Sequence, residues 1–258
     1  MRPGSEGARI RPRKRFGQHF LHDPGVLRRI VDAIDPAPGD RIVEIGPGQG
    51  ALTRPLLGRA GRLTAIEIDR DLATELAAAL RSRELEVLCK DALRVDYSSF
   101  APGFRLVGNL PYNISTPLLF HLARSGRHAR DLHFMLQLEV VERMVAAPST
   151  PEYGRLSVAL QTRFTMHKLF KVAAGCFKPP PKVDSAVVRM SPLPEGPGCD
   201  ESILDNVLRR AFSARRKTLR NALPLEPQDY AALGIDPGLR PENLGPGDYI
   251  RIARRIGG

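Results

Sequence analysis

The chain has 258 residues and a net charge of +11, since 39 lysine and arginine residues outnumber 28 acidic ones. This length allows one sizeable core and a small second domain, and the sequence pI of about 10.1 indicates a polyanionic partner such as nucleic acid. No apolar run is long enough to span a bilayer, and the three cysteines include no C-x-x-C pair, so a membrane anchor, a disulfide framework and a zinc site are not expected. We expect a reducing, cytoplasmic compartment and no signal peptide.

The first 15 residues form a basic segment in which Glu6 is the only acid. A charge run is usually a solubilising tail, but the positive charge of the whole chain favours a disordered arm that contacts nucleic acid. The candidate contacts are Arg13, Lys14 and Arg15. Apolar residues at helical spacing then predict a helix over 24–34. His19 and His22 precede it, but no carboxylate or cysteine is spaced to complete a metal site with them.

A buried strand is predicted over 41–45, followed by the glycine-rich sequence EIGPGQG at 44–50. Strand, glycine loop and helix indicate a nucleotide-binding βα unit, but the pattern is E-x-G-x-G-x-G, not the G-x-G-x-x-G of dinucleotide folds. Glu44 would repel a pyrophosphate and suits a cationic ligand such as S-adenosylmethionine, whose close approach Gly46 and Gly48 would allow. Alone, such a loop is a weak signal, because unrelated chains match it by chance.

Two more acids follow predicted strands. A strand at 63–68 contains Glu67, which lies 21 residues after Gly46, where a carboxylate that holds both ribose hydroxyls is expected. A strand at 86–89 ends just before Asp91, whose carboxylate could reach the edge of an adenine. Each acid alone is more often a solvated strand end or a helix cap. Their order at successive strand ends favours a cofactor site.

The sequence Asn109-Leu110-Pro111-Tyr112 follows a predicted strand at 104–107. We interpret it as a catalytic loop, because ligand chemistry in open α/β sheets concentrates at the carboxyl ends of strands. The Asn109 amide oxygen and the Pro111 carbonyl would accept the protons of one amine. Tyr112 would offer a flat face to a nucleobase, and such stacking is worth about 1–3 kcal/mol per base. The alternative is an ordinary turn, in which these residue types are common.

The remaining elements are predicted from apolar periodicity and from turn residues. Ser115 is expected to cap a helix, and 176–185 is expected to be a basic, proline-rich loop. The other predicted elements are a strand at 132–138 with a helix through 144, a helix at 155–164, strands at 168–172 and 186–190, a domain boundary at 191–198, and an apolar helical face at 203–212 before a basic stretch at 213–221.

Together these motifs resemble those of the ribosomal RNA adenine N6,N6-dimethyltransferases that act on small-subunit RNA. The resemblance covers nearly everything from residue 15 to 221. It is carried by FGQHFL (16–21), EIGPGQG (44–50), Glu67, Asp91, NLPYNIS (109–115), FKPPPKVDS (177–185) and ARRKTLRN (214–221). His19 stands where that family often has asparagine. Both side chains donate and accept hydrogen bonds, so a cofactor contact at this position is still implied.

The resemblance implies a class I methyltransferase, a Rossmann-like α/β fold with a seven-stranded, mostly parallel sheet. The methyltransferase domain would span 16–192, and a small α-helical domain at 193–258 would bind RNA and the ribosome. The implied cofactor is S-adenosylmethionine, with S-adenosylhomocysteine as its product. The candidate cofactor contacts are His19, Leu21, Glu44, Gly46, Gly48, Glu67, Asp91 and Asn109.

The implied reaction methylates the N6 amines of two adjacent adenines near the 3′ end of small-subunit ribosomal RNA, within a pre-assembled 30S-type particle. The enzyme would be a monomer that needs no metal. Its catalytic candidates are Asn109, Leu110, Pro111, Tyr112 and Phe177, and Phe177 would sandwich the flipped base against Tyr112. The candidate RNA contacts are Arg13, Lys14, Arg15, Lys178, Lys182, Arg215, Arg216, Lys217 and Arg220.

Three rival interpretations remain at this point. The large-subunit RNA dimethyltransferases that give macrolide resistance share the cofactor site, but the 214–221 segment and the leucine of NLPY favour the small-subunit type. An adenine-specific DNA methyltransferase would typically carry two prolines in that motif. A non-catalytic RNA-binding assembly factor is disfavoured, because the catalytic loop is intact.

Overall fold

The computed structural model describes residues 18–213 and 216–258. The predicted basic arm at 1–15 and Arg215 lie outside the described residues. The strands are β1 (Phe20–Leu21), β2 (Ile42–Ile45), β3 (Leu63–Glu67), β4 (Leu85–Cys89), β5 (Arg105–Asn109), β6 (Asp131–Gln137), β7 (Phe164–Val172), β8 (Phe177–Lys178) and β9 (Ser185–Pro192).

The helices follow the predicted order of elements. They are α1 (Pro24–Ile34), α2 (Thr53–Ala60), α3 (Arg70–Leu80), α4 (Ser115–Ser125), α5 (Leu138–Val145), α6 (Arg155–Gln161), α7 (Glu201–Ser213), α8 (Leu219–Ala222), α9 (Pro227–Leu233) and α10 (Pro246–Gly257). Within 18–213 and 216–258, no helix is long and apolar enough to cross a membrane.

Seven strands form one sheet in the order β4-β3-β2-β5-β6-β9-β7. Strands β4, β3, β2, β5 and β6 are parallel, and β9 is antiparallel to both of its neighbours. The strand order reverses between β2 and β5, which is the place where open α/β sheets bind their ligands. The carboxyl ends of β2, β3, β4 and β5 therefore lie along one edge, next to the predicted cofactor and catalytic motifs.

The sheet is covered on both faces because alternate residues of a strand point to opposite sides. In β2, Val43 and Ile45 belong to a core that also contains apolar residues of α4, α5 and α6. Ile42 belongs to a second core beneath α1, α2 and α3. Helix α1 is capped by the Asp23 carboxylate, which accepts the Val26 N–H at 2.8 Å. Such a cap is typically worth about 1 kcal/mol.

A third core joins the C-terminal helices to α6. It contains Leu204 and Leu208 of α7, Ile252 of α10, and Val158 and Ala159 of α6. Since this core draws on residues from both sides of position 192, the helical segment is packed against the sheet-bearing part of the chain. The division into domains at 16–192 and 193–258 stays a prediction.

The end of the sheet opposite the motifs is held by a buried ionic network. Arg105 is 3% exposed, and its Nε and Nη2 donate to the two carboxylate oxygens of Asp131 at 2.9 and 2.8 Å. Its Nη1 donates to Asp40 at 2.9 Å. Breaking a buried pair by removing one partner typically costs about 3–5 kcal/mol, so this network holds β5 and β6 in place behind the catalytic loop.

Three local predictions need correction. The helix expected over 155–164 is shorter, because α6 ends at Gln161 and Phe164 already begins β7. Ser115 is not a helix cap, since Ile114 occupies that position and the Ser115 hydroxyl donates to the Pro111 carbonyl at 3.0 Å. The segment 176–185 is not all loop, because Phe177–Lys178 pairs with Phe20–Leu21 as a small antiparallel ladder.

Candidate active site

A single cleft along the carboxyl edge of the sheet brings the predicted cofactor and catalytic residues together. Its walls come from the segment before α1, from the glycine loop after β2, and from the ends of β3, β4 and β5. The predicted site residues that line it are His19, Leu21, Glu44, Gly46, Gly48, Glu67, Asp91, Asn109, Leu110, Pro111 and Tyr112. The motifs are far apart in sequence but form one site in space.

The glycine loop has a backbone that only glycine adopts without strain. Gly46 and Gly48 have φ values of 67° and 55°, in the left-handed region. A Cβ atom built on Gly48 would lie 2.9 Å from Cε1 of Phe20, so a side chain there would also displace the β1 segment. The loop thus forms a cradle in which a ligand can approach the backbone closely.

Glu67 ends β3 and points both carboxylate oxygens at backbone donors. Its Oε2 accepts the Gly48 N–H at 3.2 Å, and its Oε1 accepts the Asp69 N–H at 3.0 Å. Burial raises the pKa of Glu67, although these hydrogen bonds oppose the effect. Each carboxylate oxygen keeps a second lone pair, so Glu67 can accept two hydroxyl protons from a vicinal diol without giving up its support.

Glu44 is the most unusual charge in the cleft. The residue is 2% exposed, and its Oε2 has no hydrogen-bond partner among the described residues. Burial, together with the nearby Glu67 carboxylate, raises the pKa of Glu44 to about 7. An unsatisfied buried acceptor is costly, so it is best explained by a ligand that supplies a proton donor or a positive charge.

The adenine end of the predicted cofactor site combines an acid with an apolar surface. Asp91 caps a short 3-10 turn at Ala92–Arg94, where its Oδ1 accepts the Leu93 N–H at 3.0 Å. Ile68 follows Glu67, lines the same cleft and is 47% exposed, which is unusual for a large aliphatic side chain. A flat apolar ring would cover Ile68 while its polar edge meets Asp91.

The catalytic loop starts at the last residue of β5. The Asn109 side chain donates through Nδ2 to the His19 carbonyl oxygen at 3.0 Å, which orients the amide. No hydrogen bond reaches Oδ1 of Asn109 or the carbonyl oxygen of Leu110 from the parts of the chain that the structure describes. Two acceptors on adjacent residues are therefore available for one amine.

The Pro111 carbonyl is not one of these acceptors. It accepts the Ile114 N–H at 3.1 Å and the Ser115 hydroxyl at 3.0 Å, which uses both of its lone pairs. The prediction that this carbonyl stays free for the amine is wrong. The reason is that the chain turns immediately into α4, and the turn takes up the carbonyl.

Tyr112 is half-buried and held at its hydroxyl end. Its Oη lies 2.6 Å from Oγ of the buried Ser185, and burial raises the pKa of this phenol. The His19 ring stacks on the Tyr112 ring with a centroid distance of 5.3 Å and an interplanar angle of 28°. The Tyr112 ring is therefore supported on one face and fixed at its tip.

Phe177 lies elsewhere than predicted. It is 2% exposed, it pairs with Leu21 in the β1–β8 ladder, and its side chain packs in the core beneath α1. The expectation that Phe177 presents a face to the flipped base is wrong for this structure. Pairing with β1 turns the side chain inwards, and a two-residue strand leaves no periodicity in the sequence.

Comparison with known proteins agrees with this geometry. The family model of the ribosomal RNA adenine dimethylases matches residues 9–257. The chain belongs to this family. The ribosomal RNA small subunit methyltransferase A of Aromatoleum aromaticum is 54% identical to it over 250 residues, which cover 95% of this chain and 94% of the relative.

Two solved structures share the fold of this dimethylase chain. A dimethyladenosine transferase from Plasmodium falciparum is 29% identical with a TM-score of 0.79, and the match covers 91% of this chain and 96% of that one. The 23S rRNA methyltransferase ErmE is 27% identical with a TM-score of 0.71, over 93% of this chain and 100% of that one. The predicted class I methyltransferase fold, the methyltransferase activity and the cofactor S-adenosylmethionine are confirmed.

The predicted RNA contacts are described only in part. Lys178 and Lys182 are exposed on the segment that joins β8 to β9, and Arg216, Lys217 and Arg220 are exposed around the start of α8. Arg13, Lys14, Arg15 and Arg215 lie outside the described residues. The role of these basic residues of the dimethylase chain stays a prediction.

Three residues of the dimethylase site were missed at the level of sequence. Ile68 could have been found, since an apolar residue directly after the strand-end acid Glu67 is placed to meet a ligand. Ser185 is the last residue of the FKPPPKVDS motif, but nothing in the sequence links it to Tyr112. His133 of β6 lines the cleft although its side chain is only 1% exposed, and neither ring nitrogen has a hydrogen bond among the described residues.

Metal ligation is not supported by any of these groups. Within 18–213 and 216–258, no three His, Cys, Asp or Glu side chains are arranged to hold a metal ion.

Proposed function

We propose that this protein transfers methyl groups from S-adenosylmethionine to the N6 amines of two adjacent adenines near the 3′ end of small-subunit ribosomal RNA. The observation that carries the proposal is the catalytic loop. Asn109 has its amide nitrogen held by the His19 carbonyl and its oxygen free, beside an aromatic platform and in the same cleft as Glu67. The family assignment and the name of the Aromatoleum relative support the choice of RNA.

The residues of the cleft fit the cofactor. The unpartnered Oε2 of Glu44 is matched by a cationic amino group, and the glycine cradle at Gly46 and Gly48 leaves room for the ligand chain. Glu67 would accept both ribose hydroxyls, while Asp91 and Ile68 would hold the adenine by its edge and its face. His19 and Leu21 would close the cleft from the β1 side. S-adenosylmethionine supplies an electrophilic methyl group on a sulfonium centre and leaves as S-adenosylhomocysteine.

The loop must reshape the target amine, because the lone pair of an adenine N6 is delocalised into the ring. We infer that Asn109 Oδ1 and the Leu110 carbonyl accept its two protons. These two hydrogen bonds favour a pyramidal nitrogen whose lone pair is aimed at the methyl carbon. Preorganised acceptors of this kind act on the transition state, and positioning supplies much of the remaining rate gain.

No strong base is needed. The nitrogen attacks the methyl carbon, the carbon–sulfur electron pair goes to sulfur, and the nitrogen becomes a cationic, acidic centre. One of its protons then passes to water. After the first transfer the amine keeps a single proton, so it satisfies either Asn109 Oδ1 or the Leu110 carbonyl in the second round.

The target base must leave its stack to reach this loop, at a cost of a few kcal/mol. Tyr112 offsets this cost by stacking on the base. The Tyr112–Ser185 hydrogen bond and the His19 ring hold the platform in one orientation before RNA binds, so less ordering is required when the base arrives.

Binding of the RNA itself is assigned to basic surfaces away from the cleft. Exposed Arg216, Lys217 and Arg220 would contact phosphates, as would Lys178 and Lys182. The arm residues Arg13, Lys14 and Arg15, together with Arg215, would add to the same interaction. We propose that the enzyme acts as a monomer on a pre-assembled 30S-type particle in the cytoplasm, where small subunits are made.

The test is a methylation assay with purified protein and S-adenosylmethionine. Unmethylated small subunits, large-subunit RNA and double-stranded DNA are offered in parallel, and methylated adenines are counted by mass spectrometry. We expect N6,N6-dimethyladenine at two adjacent positions of the small-subunit RNA alone. Modification of the large-subunit RNA would instead favour the activity named for ErmE, and RNA binding without methyl transfer would favour an assembly factor.

A further inference from the structure

We propose that His19 is a positioning residue that supports Tyr112 from behind, so that the target adenine stacks on the opposite face of a two-ring platform. This inference rests on the proposed function and adds a role for a side chain that is otherwise only a candidate cofactor contact. The juxtaposition that carries it is the stacked pair of rings, with centroids 5.3 Å apart and planes inclined by 28°.

The His19 ring is anchored independently of Tyr112. Its Nδ1 lies 2.8 Å from the Pro179 carbonyl oxygen. The backbone on either side is tied down as well, since Phe20 pairs with Lys178 and the His19 carbonyl accepts from Asn109. A ring held at this many points is a fixed wall.

The rings are too close to admit a base between them. Stacked aromatic pairs keep their centroids about 4.5–7 Å apart, so an inserted adenine would separate the His19 and Tyr112 centroids by about 9 Å or more. The observed distance of 5.3 Å leaves no such space. Tyr112 cannot retreat, because its hydroxyl is held by Ser185 at 2.6 Å. The free face of Tyr112 is therefore the one away from His19.

The wall is needed because Phe177 does not provide one. Its side chain is buried in the core beneath α1, so it cannot complete a sandwich with Tyr112. Backing by His19 instead fixes the orientation of Tyr112. The same residue sets the Asn109 amide through its backbone carbonyl, so position 19 aligns both the stacking ring and the proton acceptor.

Two substitutions separate the ring of His19 from its hydrogen bond. His19→Asn keeps a donor for the Pro179 carbonyl and removes the ring, whereas His19→Phe keeps the ring and removes the donor. We expect His19→Asn to lower the single-turnover methylation rate at saturating S-adenosylmethionine by a factor of roughly 2–13, the usual worth of an aromatic pair. His19→Phe should stay within about twofold of wild type, and cofactor affinity should be unchanged in His19→Asn.

A double-mutant cycle with Tyr112→Ala tests whether His19 acts through Tyr112. In the Tyr112→Ala background, His19→Asn should cause no further loss of rate. A second readout needs no RNA: in protein with isotope-labelled tyrosine, the Tyr112 ring resonances should shift in His19→Asn and much less in His19→Phe. If wild-type protein makes no dimethyladenine, the proposed function fails, and this spectral result still reports on the ring pair.

Four results would overturn the inference. The first is a larger rate loss in His19→Phe than in His19→Asn, which would make the Pro179 hydrogen bond the important contact. The second is a faster reaction or tighter RNA binding in His19→Asn, which would make the ring a plug on the base site. The third is a parallel fall in cofactor affinity, and the fourth is an undiminished effect in the Tyr112→Ala background. Thermal unfolding of each variant checks that the fold is retained.

Discussion

Glu44 should link proton binding to folding with an unusual sign. The residue is 2% exposed, and burial raises its pKa from the ordinary value of 4.5 to about 7. Between these two values the folded protein binds more protons at Glu44 than the unfolded chain does. The free energy of unfolding therefore falls as the pH rises through this window, in contrast to a carboxylate stabilised by an ion pair.

The magnitude follows from the size of the pKa change. A tenfold change in proton affinity is worth about 1.4 kcal/mol, so ionised Glu44 destabilises the cofactor-free fold by about 3 kcal/mol above pH 7. Glu44→Gln has nearly the same shape and no charge at any pH. The variant should be more stable than wild type by about 3 kcal/mol at pH 8 and by less than about 1 kcal/mol at pH 5.

Urea denaturation of both proteins at pH 5, 6, 7 and 8, without cofactor, measures this difference. Glu67, whose pKa is also raised by burial, is present in both proteins, so the difference isolates Glu44. A stability difference that is the same at pH 5 and pH 8 would refute the reasoning, because Glu44 would then not change its ionisation on folding.

The cofactor should reverse the sign of the effect. A cationic amino group stabilises the Glu44 carboxylate, so S-adenosylmethionine should bind wild type more tightly as the pH rises through about 7. Glu44→Gln should lose this dependence and bind more than tenfold more weakly at pH 8, since a hydrogen bond to a charged group is worth about 1.5–3 kcal/mol. Calorimetric titrations at pH 6 and pH 8 separate these outcomes.

Three further substitutions test the rest of the site. Glu67→Ala should reduce cofactor affinity more than tenfold, because the ribose hydroxyls lose a charged acceptor; calorimetric binding within threefold of wild type would contradict this. Asn109→Ala should lower the single-turnover rate at saturating cofactor by about 10²–10³, with RNA binding largely intact; wild-type rates of both mono- and dimethyladenine formation would reduce Asn109 to a turn residue. Replacing Arg216, Lys217 and Arg220 together should lower the salt dependence of subunit binding by about 0.7–0.9 in slope per lost contact, and an unchanged slope would make them a solvated face.

Much of the fold could be predicted because its signals are local. The strand before the glycine loop is a short apolar run, and the glycines of EIGPGQG need left-handed φ values that other residues avoid. Glu67, Asp91 and Asn109 each follow such a strand. Parallel strands bring their carboxyl ends to one edge, so sequence order alone places these three side chains in one cleft.

The features that were missed depend on contacts between distant segments. Arg105 and Asp131 meet only because β5 and β6 are neighbours in the sheet, and each would otherwise pass for an ordinary charged residue at the start of a strand. The β1–β8 ladder pairs two segments of two residues each, which is too short for periodicity to reveal. The inward direction of Phe177 follows from that ladder, so the motif identified the residue but not its surroundings.

The catalytic loop shows the same limit at the scale of one peptide. Proline at 111 biases Leu110 towards an extended conformation, which directs the Leu110 carbonyl away from any helix. Proline has no N–H to donate, but its own carbonyl is the first acceptor of the turn into α4, where it binds the Ile114 N–H and the Ser115 hydroxyl. The two carbonyls thus divide their tasks: the one before the proline ring faces the substrate amine, and the one after it anchors the helix. A sequence shows that a proline is present, but only the path of the following chain decides which carbonyl remains free.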